Sequence, residues 1–425
     1  MPFNGLKIEV DDRGSGCPSR SDDVAFEGTG DIVRGKPGSL LEMARASLAL
    51  DVGGSGRFGD FDWTMEDKND SFMVSDDGTL KLLSESRSSY NINKDGLSKA
   101  TTPPSSLDDM NDSPNGIYKN YRCRASDLCK LTMLGRGASG SVYKAVHKTT
   151  GELVALKEID ALDKTSRDQM LNEVRTLCEL PELEGLVNFH GAFYAPEDGR
   201  ISIALEYMNA GSLEDCIEQL PGRRIPEHIL SMICGKILTG LKYLHEERHL
   251  VHRDIKPANL LINLNGEPKI TDFGISSTLT NTQGMMNTYV GTMQYMSPER
   301  LHHRPYSYSS DVWSIGLTFL QLALGRYPYS SNAPVPLILE VCDSEIPLPA
   351  GESDLSPDFI DFITLCMEKD PDDRPSASAL LGSRWIQKHR TEAAELQSFV
   401  RSLYPDAEAR MERDRLLAIK HSNVQ

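Results

Sequence analysis

The stretch that decides the fold is Val251 to Gly274, VHRDIKPANLLINLNGEPKITDFG. It holds two carboxylates, Asp254 and Asp272. Between them Asn265-Gly266 is a strong two-residue hairpin signal, because both positions tolerate a positive φ. The apolar runs Leu260-Leu261-Ile262 and Lys269-Ile270-Thr271 read as short strands on either side. Folding this hairpin brings Asp272 back towards Asp254 and Asn259, an arrangement that suits chemistry on a phosphate. One carboxylate accepts a proton from an incoming hydroxyl. Asp272 and Asn259 supply hard oxygen ligands for Mg²⁺.

Working outward, LGRGASGSVYKA carries Gly135, Gly137 and Gly140 in G-x-G-x-x-G spacing. Alone this is weak, since a dinucleotide-binding turn has the same spacing and would run straight into a helix. Here Ser141-Val142-Tyr143 continues as a strand and turns at Thr149-Thr150-Gly151. It returns as Leu153-Val154-Ala155-Leu156-Lys157. That pattern is a hairpin lid whose glycines let the backbone approach a phosphate. Met170, Val174 and Leu177 share one face of a helix. Glu173 on it is the expected partner of Lys157, because Pro181 ends the helix near the rivals Glu179 and Glu182. Ile201 to Met208 reads as a buried strand. Ile229, Ile233, Ile237, Leu241 and Leu244 form a helical core stripe. Asp311 opens a helix, DVWSIGLTFLQLAL, apolar nearly all round and so expected to be buried.

The ordered set HRD-x-K-x-x-N followed by DFG resembles the catalytic core of eukaryotic protein kinases. The resemblance covers about residues 117 to 390. It implies an α+β bilobal fold with a small β-rich N-lobe and a larger α-helical C-lobe, and an enzyme using ATP and Mg²⁺. By that resemblance Asp254 is the catalytic base, Lys256 neutralises the transferring phosphoryl group, and Asn259 and Asp272 hold metal. Lys157 holds the α- and β-phosphates and pairs with Glu173. Leu134, Gly135, Gly137, Gly140, Val142, Ala155, Lys157, Glu206, Met208 and Leu261 form the nucleotide site, and Leu205 controls the pocket behind it. Arg374 is expected to pair with Glu299 of the Ser297-Pro298-Glu299 motif.

Three features narrow the family. Lysine at position 256 resembles enzymes acting on Ser or Thr. Val290 to Leu301, VGTMQYMSPERL, resembles the corresponding segment of MAP kinase kinases. Thr282 and Thr288 flank five residues, QGMMN, which matches the plant-type spacing of activating phosphosites; the animal pattern is tighter. The resemblance therefore implies phosphorylation of Thr and Tyr in a MAP kinase activation loop, and activation at Thr282 and Thr288 by an upstream MAP kinase kinase kinase. Arg253 would hold a phosphate on that segment, and Thr292 would bond Asp254 and Lys256. Other readings are another Ser/Thr kinase of the same branch, such as an upstream MAP kinase kinase kinase-like enzyme, and a catalytically silent scaffold. The full set Lys157, Glu173, Asp254, Asn259 and Asp272 speaks against the scaffold. A docking motif of basic then alternating apolar residues is thin here. The candidates are Arg34 and Lys36 with Leu41 and Met43, or Lys7 with Ile8 and Val10.

The 425 residues leave room for extensions. Residues 1–115 are rich in Ser, Asp and Gly and are expected to be a largely disordered regulatory extension. Within them Ser39 to Leu50 has capping-box spacing for a short amphipathic helix. Gly78 to Ala100 looks like the segment that precedes the catalytic domain in plant-type MAP kinase kinases. The kinase domain is expected over 126–387, closed by Trp385, with a charged helical tail over 388–425. A net charge of −17 argues against a nucleic-acid binder. Eight cysteines without a C-x-x-C pair fit a reducing, cytoplasmic setting. No run approaches the ~18 apolar residues of a membrane helix, the start lacks a secretory pattern, and Pro2 excludes N-myristoylation. A monomer is expected.

Overall fold

The computed structural model describes residues 72–74, 79–82, 89–100, 124–137, 140–160, 164–195, 199–273, 293–331, 333–348, 355–389 and 393–422. Thr282, Thr288, Thr292, the Ser39–Leu50 segment and both docking-motif candidates lie outside these described residues.

Four short strands come first: β1 (Phe72–Val74), β2 (Leu80–Leu82), β3 (Ser89–Asn93) and β4 (Gly96–Ala100). They pair in order as an antiparallel meander. Five longer strands follow: β5 (Leu128–Gly137), β6 (Gly140–His147), β7 (Leu153–Asp160), β8 (Phe189–Ala195) and β9 (Arg200–Glu206). These form one antiparallel sheet in the order β5-β6-β7-β9-β8. Helix α1 (Lys164–Glu179) crosses it between β7 and β8 and packs on β7, β8 and β9. Its Met170, Leu171, Val174 and Leu177 are fully buried, the face that the sequence pattern marks.

The remainder is helical. Helices α2 (Leu213–Glu218) and α3 (Glu227–Lys242) precede the hairpin β10 (Leu260–Ile262) and β11 (Pro268–Ile270). Then come α4 (Pro298–Leu301), α5 (Ser309–Leu324), α6 (Pro334–Asp343), α7 (Pro357–Cys366), α8 (Ala377–Leu381) and α9 (Arg384–Lys388). The tail contributes α10 (Ala393–Leu403) and α11 (Ala407–Ser422). The α3 stripe Ile229, Ile233, Ile237 and Leu241 is buried. Helix α5 is buried on nearly every side, in keeping with its apolar circumference. Trp385 is buried against the rings of Phe319, Phe359 and Phe362. Glu299 and Arg374 form a two-pronged pair, both contacts 2.8 Å, with the Arg374 side chain fully buried.

Two expectations need correction. Strands β1–β4 fall inside the stretch expected to be largely disordered, yet they pair as a meander, which packs on β8 through β3 and β4. Tyr90, Ile92 and Leu97 join the same buried cluster as α1. Alternation at Tyr90 and Ile92 gives the strand one apolar face. The turn Asn93-Lys94-Asp95-Gly96 closes the hairpin, with Asn93 Oδ1 accepting the Asp95 N–H at 2.9 Å and Gly96 at φ 109°. The average composition of a hundred residues hid this island.

The second correction concerns the central hairpin. It forms, with Leu260 opposite Ile270, but Ile262 pairs with Pro268, so the loop spans 263–267 instead of two residues. Only Gly266 is left-handed, at φ 76°. Asn263 wins the competition for the turn: its Oδ1 accepts the N–H groups of Asn265 and Glu267, each at 3.0 Å, and its carbonyl accepts the Gly266 N–H at 2.9 Å. An Asx side chain that satisfies two backbone donors outweighs the tight-turn preference of Asn-Gly.

Candidate active site

Between the five-stranded sheet and the helical lobe lies a cavity of about 560 Å³. Leu134, Gly135, Val142, Ala155 and Lys157 line it from the sheet, and Leu261 and Asp272 from the hairpin. Glu206, Tyr207 and Met208 line the connection between the lobes. Gly137 and Gly140 face each other where β5 meets β6. Gly140 has a different requirement: at φ 139°, a Cβ there would stand 2.1 Å from the Glu158 carbonyl oxygen. Only glycine lets β6 start this close to β7.

Lys157 lies within β7 and lines the cavity. Its Nζ donates to Glu173 of α1 at 2.8 Å and to Asp272 Oδ1 at 2.7 Å. Burial opposes the lysine charge, but the two carboxylates outweigh it and raise its pKa. Glu173 is raised, chiefly by its own burial, with Lys157 opposing. Asp272 is held below the usual carboxylate range, first by the Lys157 charge. Just after the hairpin, with φ at 58°, Asp272 places a fixed negative charge at the floor of the cavity.

Across from it, Lys256 Nζ donates to both oxygens of Asp254, at 2.8 and 3.0 Å. Asn259 Nδ2 donates to Asp254 Oδ2 and to its backbone carbonyl, each at 2.8 Å. These bonds run through the amide nitrogen, which leaves Asn259 Oδ1 as its oxygen donor. The Thr271 N–H donates to the Asn259 carbonyl at 3.0 Å, so Asn259 and Asp272 are neighbours by construction. Among the described residues no cluster of three His, Cys, Asp or Glu side chains could hold a metal unaided. One carboxylate and one amide oxygen fit a hard cation that takes its other ligands from phosphate and water.

The loop carrying Asp254 is strained, with Arg253 at φ 73°. Asp311, wholly buried in the first turn of α5, holds it: its oxygens accept the His252 and Arg253 N–H groups at 2.8 and 2.7 Å. His245 Nε2 meets the same carboxylate at 2.8 Å. Arg300 donates to the Arg253 carbonyl at 2.6 Å. Sequence reading placed Asp311 only as a helix start; a lone acid opening an apolar helix was the available signal. It also missed Tyr404 and Arg410, which line the cavity from the C-terminal tail and carry no local pattern.

The comparisons agree with this geometry. Residues 129–386 match the protein kinase domain family, so the chain is a protein kinase by fold and family. It is 49% identical over 339 residues to mitogen-activated protein kinase kinase 3 of Arabidopsis thaliana, covering 80% of this chain and 64% of that relative. It is 40% identical over 283 residues to mitogen-activated protein kinase kinase 2 of Arabidopsis thaliana, covering 64% of this chain and 76% of the relative. Dual specificity mitogen-activated protein kinase kinase dSOR1 of Drosophila melanogaster is 39% identical over 302 residues, 64% of this chain and 74% of the relative. The chain belongs to the MAP kinase kinase family. That family uses ATP and a divalent metal, and the cavity, Lys157, Asp272 and Asn259 suit both.

Proposed function

We propose that this chain transfers the γ-phosphoryl group of ATP, with Mg²⁺, to a Thr and a Tyr in the activation loop of a MAP kinase. The observation that carries the reading is the pinned Asp254, held by Lys256 and Asn259 on a loop that is tied through the Asn259 carbonyl to Thr271, the neighbour of the cavity residue Asp272. Asp254 accepts the proton of the attacking hydroxyl. Lys256, beside it, compensates charge on the transferring group. Lys157, aimed by Glu173, would hold the α- and β-phosphates. Asp272 and Asn259 Oδ1 would hold the Mg²⁺, which neutralises phosphate charge. Val142, Ala155 and Leu261, with the backbone of Glu206 and Met208, would hold the adenine.

The names of the relatives support a MAP kinase as substrate and an upstream MAP kinase kinase kinase as activator. Activation is proposed to run through phosphorylation of Thr282 and Thr288. The test uses a MAP kinase whose own catalysis is disabled, so that any label comes from this chain. Phospho-Thr and phospho-Tyr on its activation loop are expected together. Phospho-Thr alone, or none with other proteins labelled, would assign the chain a different substrate.

A further inference from the structure

The tail does more than close the domain. Helix α10 is fixed to the helical lobe: Arg401 Nε donates to the Leu264 carbonyl at 3.1 Å, and Leu396 and Val400 are buried. A Cβ on Gly266 would come within 2.7 Å of the Gln397 nitrogen, so the helix sits directly on the central hairpin. The chain then reaches the connection between the lobes. Tyr404, 7% exposed, donates from Oη to the Ala210 carbonyl at 2.7 Å. Arg410 lies over the Tyr404 ring at 4.9 Å, and both residues line the cavity.

Beyond the connection α11 packs on β6 of the other lobe. There Asp414 forms an ion pair with Lys144. Lys144 is 9% exposed, and its Nζ stands 4.7 Å from the centre of the Tyr207 ring. Lys144 is directly opposite Ala155 across the β6–β7 ladder and two residues from Val142, so all three share the cavity-facing side of the sheet. A lysine this buried needs a counter-charge, and Asp414 supplies it from a helix rooted in the opposite lobe. One end of the tail therefore grips the floor of the cavity and the other its roof.

We propose that the C-terminal helix is a strap that completes the nucleotide site. By anchoring Tyr404 at Ala210 and Lys144 at Asp414, it sets how far the β5–β6 hairpin stands from the floor, and hence how tightly nucleotide is held. Tyr404 and Asp414 are positioning residues: they act through Ala210 and Lys144 and not on the reacting phosphate. Opening of such a hairpin admits and releases nucleotide, so a strap across it acts on affinity and release before it acts on chemistry.

The proposal rests on the cavity being a nucleotide site. A wild-type chain that binds no ATP analogue overturns that reading itself. The test compares the full chain with Asp414→Lys, with the exchange Lys144→Glu/Asp414→Lys, and with Tyr404→Phe. The probe is a fluorescent ATP analogue with Mg²⁺, read alongside KM for ATP and kcat. Asp414→Lys should raise the dissociation constant and KM by about tenfold, equivalent to about 1.4 kcal/mol of lost coupling. Its kcat at saturating ATP should stay within about twofold, since the chemistry is untouched. The charge exchange should restore affinity. Wild-type affinity in Asp414→Lys, or no recovery in the exchange, overturns the strap. If Asp414→Lys does not fold, Tyr404→Phe decides: it removes one hydroxyl, and unchanged affinity there overturns the proposal equally.

Discussion

The two oxygens of the fully buried Asp311 accept the backbone N–H groups of His252 and Arg253, at 2.8 and 2.7 Å. The strained loop that presents Asp254 is thus held by a group that never reaches the cavity. Asp311→Asn keeps the shape but turns an amide NH₂ towards one of those donors. Hydrogen bonds to a charged group contribute about 1.5–3 kcal/mol each. We expect that loss in urea unfolding, together with a fall in kcat while ATP affinity holds. An unchanged kcat would separate loop geometry from catalysis.

Asp254→Asn should leave nucleotide binding intact, since the carboxylate is engaged by Lys256 and Asn259 and not by the residues of the cavity roof. Turnover should fall by ~10²–10⁴, the range of general-base catalysis. Asp272→Asn should behave oppositely, weakening Mg·ATP binding because it removes the charge of the proposed metal ligand. Nucleotide titration beside single-turnover kinetics distinguishes the two. Equal turnover for Asp254→Asn and wild type would remove the proposed base.

The meander makes a prediction that composition alone reverses. Ile92 is fully buried in the cluster that contains α1. Burial pushes the Tyr90 hydroxyl up, with Cys178 and Glu179 at the end of α1 adding to it, so the meander leans on the helix that carries Glu173. Ile92→Ala should cost about 2–5 kcal/mol, as for other buried isoleucines. A melting temperature equal to wild type would return strands β1–β4 to the status of a dispensable extension.

The Glu299–Arg374 pair gives a pH dependence. Burial works against the Glu299 charge, and the Arg374 hydrogen bonds overcome it, so the carboxyl lies below its ordinary value of 4.5. Asp311 is displaced the same way, burial again opposing and His245 outweighing it. In the window between folded and unfolded values the unfolded chain binds more protons, so stability rises with pH there. The contribution is complete above the unfolded value and is lost as pH falls through the folded one. Glu299→Gln should flatten this acid limb and cost about 3–5 kcal/mol at neutral pH, because Arg374 is left buried without its charge partner. Parallel stability curves for the two proteins from pH 6 down to ~3 would assign the acid loss elsewhere.

What was legible in the sequence had local pattern. The α1 face, the α3 stripe, the all-round apolar α5 and the meeting of Lys157 with Glu173 follow from periodicity and motif order. Asn263 taking over the hairpin turn was not legible, because Asn265-Gly266 is a good turn too and only the pairing register decides between them. Tyr404 and Asp414 were not legible either. Their partners, Ala210 and Lys144, lie 194 and 270 residues away, and a charged helix shows nothing of what it will cross. The meander failed for a different reason: Tyr90, Ile92 and Leu97 bury little by themselves and gain their core from β8 and α1.

The last prediction concerns switching. Arg253 and Arg300 both lie over the ring of Tyr306, 5.5 and 5.4 Å from its centre, and the buried Arg253 Nε has no hydrogen-bond partner among the described residues. Burial lowers the Arg300 pKa, with Arg253 adding to the effect against Asp311 and other acids. Two cations crowded on one ring beside the Asp254 loop form a site that favours an added anion. A phosphothreonine brings about −1.5 to −2 charges and forms roughly 1–3 charge-assisted hydrogen bonds. We therefore expect low basal activity, strong activation when an upstream kinase phosphorylates Thr282 and Thr288, and partial mimicry by Asp or Glu at both. Changing both to Ala should hold the enzyme at its basal rate. Arg253→Ala should accept phosphate at both positions, read by phosphopeptide mass spectrometry, yet gain little activity from it, because the charge that receives the phosphate is gone. Full activation of Arg253→Ala would show that the phosphates act through other contacts, and full activity of the double alanine variant would remove the switch itself.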